Sequence, residues 1–422
     1  MSGPLLPQAI RFDPLRATPG RTPDGLAVEA TRLEAHRAAL PPAGDPATLI
    51  DRVASAGLTG CGGGHFPVAR KWATALRAGG GGLVVANLAE GEPASAKDAA
   101  LAQFAPHLIL DGLDAAARAI GAERSVLWLH DDATHTRLAL GRALAQRAGA
   151  RTGAPWPEIA VAPHGYLSGE SSAVVRALSG GPALPQTKRA PAAASGVGGR
   201  PTLVHNAETL ARVALVDRGL DPGGPLATVT TDTGLVALQA LPGESVGDVI
   251  GRARPSAPEP HAVLVGGYGG RWVAWESLAP LPYERATLDV AGVSLGAGIL
   301  IPADPGVCGL RLTAGIVDYL AASSARQCGP CLFGLAEMAE AMQRLAERRP
   351  ARSDLERLDR LCALVRGRGA CHHPDGAAQL VASAVEVFAA DVASHRRRQC
   401  VQNGPAPSRG RRPLRAHAAA AS

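Results

Sequence analysis

Short apolar runs bounded by glycines and polar loops alternate with stretches of helical spacing. That alternation predicts an α/β fold with a largely parallel sheet for the first half of the chain. Strand, turn and helix signals between Thr228 and Pro302 read as a small β-grasp module, and from Pro305 onward the spacing is helical. At 422 residues the chain exceeds what one hydrophobic core organises, so several domains are expected. They are placed at 1–215, 216–304 and 305–395, followed by a basic tail at 396–422.

In chain order, residues 26–56 read as helical and lead into a glycine loop at 57–67. The run 82–87 (GLVVAN) suits a buried strand, 106–120 has apolar residues at helical spacing, and 125–130 is the next strand. A helix over 136–148 and a short strand at 159–162 continue the alternation. In the middle module, LVALQALPGESVGDVI reads as strand, turn and helix start, and HAVLVGGYGGRWV as strand, glycine turn and strand. Helices are expected over 310–322, 332–345, 353–365 and 376–394.

The formal charge of +6 invites a nucleic-acid reading, but seven arginines and no acidic residue lie from Arg396 onward. The body is therefore close to neutral, and no nucleic-acid partner is expected. The tail is poor in apolar residues and rich in Pro and Arg, so it reads as disordered. No apolar run reaches the roughly 18 residues of a spanning helix, and the start lacks a charged flank followed by a hydrophobic stretch. A cytoplasmic protein is expected, with a peripheral position at the inner face of a membrane as its variant. Seven cysteines, two of them in the pair Cys328-x-x-Cys331, favour metal or redox use over a disulfide framework.

Four polar motifs follow or flank the predicted strands. The first is the glycine loop with Lys71 and Trp72 behind it. Residues without Cβ let backbone N–H groups approach a phosphate or a flat ring, and a helix N-terminus favours an anion. The second, NLAEGEPASAKD from Asn87, stands at the carboxyl end of a strand, where open α/β sheets bind ligands. The third, YLSGESS from Tyr166, and the fourth, PTLVHNAETL from Pro201, combine amides, hydroxyls and carboxylates. Each alone is equally a capping or turn motif.

Taken in order, the four resemble the flavin and dinucleotide motifs of the NADH-oxidising, FMN- and iron–sulfur-carrying subunit of respiratory complex I and its relatives in hydrogenases and formate dehydrogenases. The likeness spans roughly 45–395. The first motif keeps Gly57, Leu58, Gly60, Gly62, Gly63, Phe66, Pro67, Lys71 and Trp72 of GLRGRGGAGFPTGLKW. The second keeps Asn87, Glu90, Gly91, Glu92, Pro93, Lys97 and Asp98 of NADEGEPGTFKD. The third keeps Tyr166, Gly169, Glu170 and Ala173 of YICGEETAL; the fourth keeps Ser195, Gly196, Val197, Gly199, Pro201, Thr202, Val204, Asn206, Glu208, Thr209 and Leu210 of SGVWGKPTTVNNVETL.

The resemblance implies a flavin-binding α/β domain, a β-grasp (soluble-ligand-binding) module and a helical iron–sulfur domain. It implies that Gly60, Gly62, Gly63, Lys71, Asn87, Glu90, Gly169, Glu170, Asn206 and Thr209 hold FMN, with Phe66 and Glu92 near NADH and Glu92 as the catalytic candidate. The implied activity passes electrons from a reduced nicotinamide or another donor through FMN to an iron–sulfur site. The acceptor would be a ferredoxin-like or complex-I-like subunit, within a complex that the membrane can carry. The other reading is a non-catalytic paralogue that keeps the fold as a scaffold subunit.

Departures fall at functional positions. Thr59 and Cys61 replace arginines, His65 a loop glycine, Ala89 an aspartate, Ser171 the second glutamate of GEE and His205 the first asparagine of VNN. Thr74 and Pro191 stand where the family has aromatic residues. Each stacking partner contributes roughly 0.5–1.5 kcal/mol, so losing two implies NADH binding weaker by about tenfold. In the iron–sulfur motif Ala325 replaces the first ligand, while Cys328, Cys331 and Cys371 remain. Three thiolates suit a three-iron (3Fe–4S) cluster, or a 4Fe–4S cluster completed by Cys308, Cys362, His372 or His373. Ordinary buried thiols and a zinc site are the alternatives.

Overall fold

The computed structural model describes residues 10–13, 31–149, 153–187, 190–347 and 352–402. Among them the strands are β1 (Ile10–Asp13), β2 (Leu83–Asn87), β3 (Arg124–His130), β4 (Glu158–Ala162), β5 (Thr202–Asn206), β6 (Leu226–Thr230), β7 (Leu235–Gln239), β8 (Ala262–Val265), β9 (Arg271–Ala274) and β10 (Ile299–Ala303).

A four-stranded sheet runs in the order β4-β3-β2-β5, all pairs parallel. Its apolar runs are continuous because both faces are covered. Val84 and Ala86 pack with helices Pro106–Ile120 and Ala207–Asp217, while Leu83 and Val85 pack with Val126, Trp128 and Val174 on the other side. The chain steps outward from β2 to β3 and β4, then returns to the far side of β2 as β5. The strand order reverses between β2 and β5, and their carboxyl ends, Asn87 and Asn206, lie in register. Crevices at such reversals are where open α/β sheets take ligands.

The second sheet, β1-β7-β6-β10-β8-β9, is mixed. One face packs on helix Val246–Ala253, whose start is fixed by a Ser245/Asp248 capping box. The other face, through Leu264, Trp272, Ile299 and Ile301, shares a core with helices Gly309–Ala322, Leu335–Ala346 and His373–Val387. Trp272 Nε1 donates to Thr313 Oγ1 at 2.9 Å and its amide to Ser383 Oγ at 2.9 Å, which locks sheet to helices.

Several sequence expectations change. The helical stretch at 26–56, of which 26–30 lies outside the described residues, is two helices, Leu33–Ala39 and Leu49–Ser55. Pro41 and Pro42 separate them, since proline neither donates to a helix nor tolerates a helical predecessor. The strand β1 pairs in parallel with β7 of the second sheet rather than joining the first layer. The helix expected at 376–394 breaks by 72° into His373–Val387 and Ala389–Arg396. Phe388 occupies the break, with its ring against Gly309 and 5.0 Å from that of Trp272. Residues 396–402 of the expected tail fold back on the helical region, and 403–422 lies outside the described residues. Among the described residues, no single helix is long and apolar enough to cross a membrane.

Helices Pro106–Ile120 and Ala207–Asp217 touch at Gly112, where a Cβ would collide with the carbonyl of Leu210. Gly112→Ala is therefore expected to destabilise the protein by about 2 kcal/mol. Gly141, in helix Thr134–Gln146, faces nothing within 4 Å, so Gly141→Ala is expected to add about 0.5–1 kcal/mol. Urea unfolding of the two variants checks both signs.

Candidate functional site

Four loops converge on the crevice between the ends of β2 and β5. The glycine loop enters from helix Leu49–Ser55 and leaves into helix Val68–Arg77. It rests on the fourth motif: the Cys61 amide donates to Thr209 Oγ1 at 2.9 Å, and a Cβ on Gly62 would stand 3.4 Å from Asn206 Cβ. The second and third motifs meet where Asn87 Nδ2 donates to the Gly169 carbonyl at 2.8 Å. All four sequence motifs thus come together.

The loop offers backbone. The amides of Gly62, Gly63 and Gly64 take no hydrogen bond among the described residues. A Cβ on Gly64 would meet nothing within 4 Å, and one on Gly60 only the Phe66 carbonyl at 3.8 Å. Phe66, 51% exposed, stands at the mouth with the Arg70 guanidinium 5.5 Å from its ring centre. His65 adopts a positive φ of 43°, a conformation glycine takes at far lower cost. Its Nε2 is buried without a partner, and burial, with Arg285 nearby, holds the ring below the usual histidine range. Cys61 is pushed up to about 12 by burial and by Glu208, so it remains a thiol.

The side chains behave differently. Asn206 Oδ1 accepts from Lys97 Nζ at 2.9 Å and from the Glu208 amide at 3.1 Å, while Nδ2 donates to Asp98. Lys97, 2% exposed, also meets Asp98 Oδ1 at 2.9 Å and Glu208 Oε2 at 3.1 Å. Glu90 caps helix Lys97–Phe104 by accepting from the Asp98 and Ala99 amides at 3.0 and 2.8 Å, and burial together with Asp98 lifts its carboxyl to about 7. Glu170 caps helix Ser171–Leu178 through the Ser172 amide at 2.7 Å. Lys71 Nζ donates to the Val204 carbonyl. Trp72 Nε1 donates to His205 Nε2 at 2.8 Å, which puts the ring proton of a neutral His205 on Nδ1 and turns the ring into the core. Burial, with Lys71 nearby, keeps His205 well below its ordinary value.

Glu92 sits where the layers meet. Tyr166 OH donates to it at 3.1 Å and the Tyr268 amide, in the glycine turn between β8 and β9, at 3.1 Å. Tyr166 in turn packs on Tyr319 and His373 of the helical region, with ring centres 6.0 and 5.3 Å away. Burial raises the carboxyl to about 8, against the pull of those two hydrogen bonds.

Cys328 and Cys331 flank a turn: the Cys331 amide donates to the Cys328 carbonyl at 3.1 Å as the chain enters the wide turn Pro330–Gly334. Burial, with Cys328 and Cys371 nearby, raises the Cys331 thiol to about 11. The three sulfurs do not form a group lying within 4.8 Å of one another, so they span more than one ion's first shell. Ala325 adds no donor. Among the candidate replacements, Cys308 pairs instead with His395 and Cys400, Cys362 stands near the charges of Arg366 and Asp359, and His373 Nε2 donates to the Leu320 carbonyl at 2.9 Å. His372, beside Cys371, is solvent-exposed and 3.2 Å from Asp375.

Sequence reasoning missed Tyr268, although its setting in Gly-Gly-Tyr-Gly-Gly was visible. It also missed the Lys97–Glu208–Arg212 chain of charges, whose members lie far apart in sequence, and the grouping of Cys400 with Cys308.

Residues 53–215 match the family described as the Nuo51 FMN-binding domain, and residues 311–395 the NADH-ubiquinone oxidoreductase-F iron–sulfur binding region. The chain is 27% identical over 376 residues to the F 2 subunit of NADH-quinone oxidoreductase from Rhizobium meliloti (strain 1021), covering 83% of this chain and 89% of the relative. It is 26% identical to the HndC subunit of the NADP-reducing hydrogenase from Solidesulfovibrio fructosivorans, over 83% of this chain and 76% of that one. The crystal structure of an NAD+-reducing [NiFe]-hydrogenase in the H2-reduced state superposes with a TM-score of 0.72 at 28% identity. That match covers 83% of this chain and 62% of the hydrogenase chain.

Glu92 yields a pH signature. Its carboxyl rises from an ordinary 4.5 to about 8 on folding, so between those values the folded state keeps a proton the unfolded state has lost. Stability therefore falls as pH rises through that window. Glu92→Gln mimics the neutral carboxyl, and its stability relative to wild type is expected to climb from about pH 5 to pH 8 and then level off. Parallel denaturation midpoints for the two proteins across that range would show that the carboxyl is ionised.

Proposed function

The chain belongs to the family of FMN- and iron–sulfur-carrying F subunits of NADH-quinone oxidoreductases, and from that premise we propose that it is a divergent electron-transfer flavoprotein of a multi-subunit redox complex. The family is NADH-oxidising and carries electrons through FMN and iron–sulfur centres. The observation that carries the reading is the cradle at the strand-order reversal: amides of Gly62, Gly63 and Gly64 that make no hydrogen bond among the described residues, with open space at Gly64. Those backbone donors fit the phosphate of FMN. Bound there, FMN accepts a hydride and passes electrons on singly.

The chain's own residues divide the work. The glycine amides and the start of helix Val68–Arg77 meet the anion, and Thr209 holds the loop in place through the Cys61 amide. Phe66 presents an exposed ring for stacking. Glu92, whose carboxyl burial lifts to about 8, accepts from Tyr166 OH and the Tyr268 amide beside the crevice. Asn87, Glu90, Glu170, Asn206 and Lys71 frame the site from within, since each is hydrogen-bonded inside the chain.

The iron–sulfur donor set is different. Cys328, Cys331 and Cys371 supply three thiols and Ala325 none, so the residues present do not fit a cluster held by four cysteines. The redox partner we propose is a ferredoxin-like or complex-I-like subunit, at the inner face of a membrane when the complex is membrane-bound. The scaffold reading draws on one observation: side chains matching the family's flavin contacts are already satisfied within the chain.

Purification without oxygen and with cofactors retained decides between them. A yellow protein with FMN near one per chain, bleached by NADH at concentrations about tenfold above those its relatives need, is expected. A colourless protein that cannot be reconstituted with FMN overturns the electron-transfer reading. Separately, Cys328→Ser, Cys331→Ser and Cys371→Ser are expected to lower iron content to a similar extent, below that of a four-iron cluster. Wild-type protein without iron would show that the site is abandoned.

A further inference from the structure

We propose that Cys308, His395 and Cys400 form a zinc site that fastens the end of the helical region to the start of helix Gly309–Ala322, apart from the three cysteines of the iron–sulfur region. Their ligand atoms all lie within 4.8 Å of one another. Cys308 and His395 are buried and Cys400 is half-buried. Cys308 Sγ stands 3.4 Å from His395 Nε2. Tetrahedral zinc with its usual bonds to sulfur and nitrogen separates such atoms by about 3.5 Å.

The imidazole is oriented for the task. His395 Nδ1 lies 2.6 Å from the Leu345 carbonyl, a contact that only a protonated Nδ1 makes. In the neutral ring Nε2 then carries the lone pair, and it faces the sulfurs. A backbone carbonyl behind a histidine is the outer-shell partner that metal-binding imidazoles recruit.

The fold converges on the same point from three directions. Cys308 follows β10 at the cap of helix Gly309–Ala322, and His395 lies in the last turn of Ala389–Arg396, which the bend at Phe388 swings toward it. Arg398, at a positive φ of 60°, reverses the chain, with the Arg398 amide donating to the His395 carbonyl at 2.9 Å. That reversal returns Cys400 to Cys308. Beyond it, Gln402 Oε1 accepts from the Cys308 amide at 3.4 Å and Gln402 O from Arg311 Nη1 at 3.3 Å. Two thiols and one imidazole are donors that thiophilic ions select. Zinc binding releases the two thiol protons to solvent, and water at the half-exposed Cys400 side completes the fourth position.

The test uses the full chain, stripped of metal by a chelator under reducing conditions and reloaded with zinc or cobalt(II). One zinc per chain, tetrahedral cobalt bands and a zinc-dependent rise in thermal midpoint are expected. Cys400→Ser, at a half-exposed position the fold tolerates, and Cys308→Ser are each expected to weaken zinc binding at least tenfold and abolish the rise. Cys362→Ser, and a chain with serine at 328, 331 and 371 together, are expected to keep both. Zinc binding that survives Cys400→Ser overturns the proposal. So does a reduced wild-type chain that takes up no zinc, or a Cys308–Cys400 disulfide that persists in reductant and leaves no thiols to bind it.

Discussion

A lysine ammonium sealed from water sets the geometry around the crevice. Desolvating such a charge costs several kcal/mol unless its hydrogen bonds are replaced in good geometry. Lys97 replaces them with Asp98, Asn206 and Glu208. Those contacts fix helix Lys97–Phe104 against the junction of β5 with helix Ala207–Asp217. Glu208 passes the constraint on, since its other oxygen takes the Arg212 guanidinium at 2.9 Å. Arg212 then donates to the carbonyls of Pro222 and Gly223, at 3.3 and 2.9 Å, in the turn that opens β6. One chain of charge therefore runs from the crevice floor to the second sheet, and the removal of any member strands a buried partner.

The same network shows what motif retention means here. Asn87, Glu90, Glu170 and Asn206 cap helices or tie loops, so the fold requires them whether or not a cofactor is held. Their presence alone does not separate an electron carrier from a scaffold. The glycine amides, which make no hydrogen bond among the described residues, and the exposed ring of Phe66 are the groups that the proposed flavin contact uses.

Aromatic residues are scarce, 3% of the chain, and they gather at the seams. Tyr166, Tyr268 and Tyr319 meet around Glu92, while Trp272 and Phe388 join the second sheet to the helices. The layers themselves are filled by alanine, leucine and valine, whose small volumes let helices approach as closely as Pro106–Ile120 and Ala207–Asp217 do. At those seams a large ring fills the space that smaller side chains would leave as a void.

By itself, the sequence determined many of the elements and the resemblance to the family. The helix at 106–120, three of the four strands of the parallel sheet (β2, β3 and β4) and the four motifs were legible because periodicity and turn residues act over a few positions. Tertiary structure alone decided the rest: that β1 crosses to the second sheet, that Phe388 bends the last helix, that Asn206 faces Lys97, and that Cys400 returns to Cys308. Each depends on a partner remote in sequence, and local periodicity carries no information about which distant surface a side chain will meet. Burial selects that partner, because only the assembled core decides which polar groups lose water and must find one another.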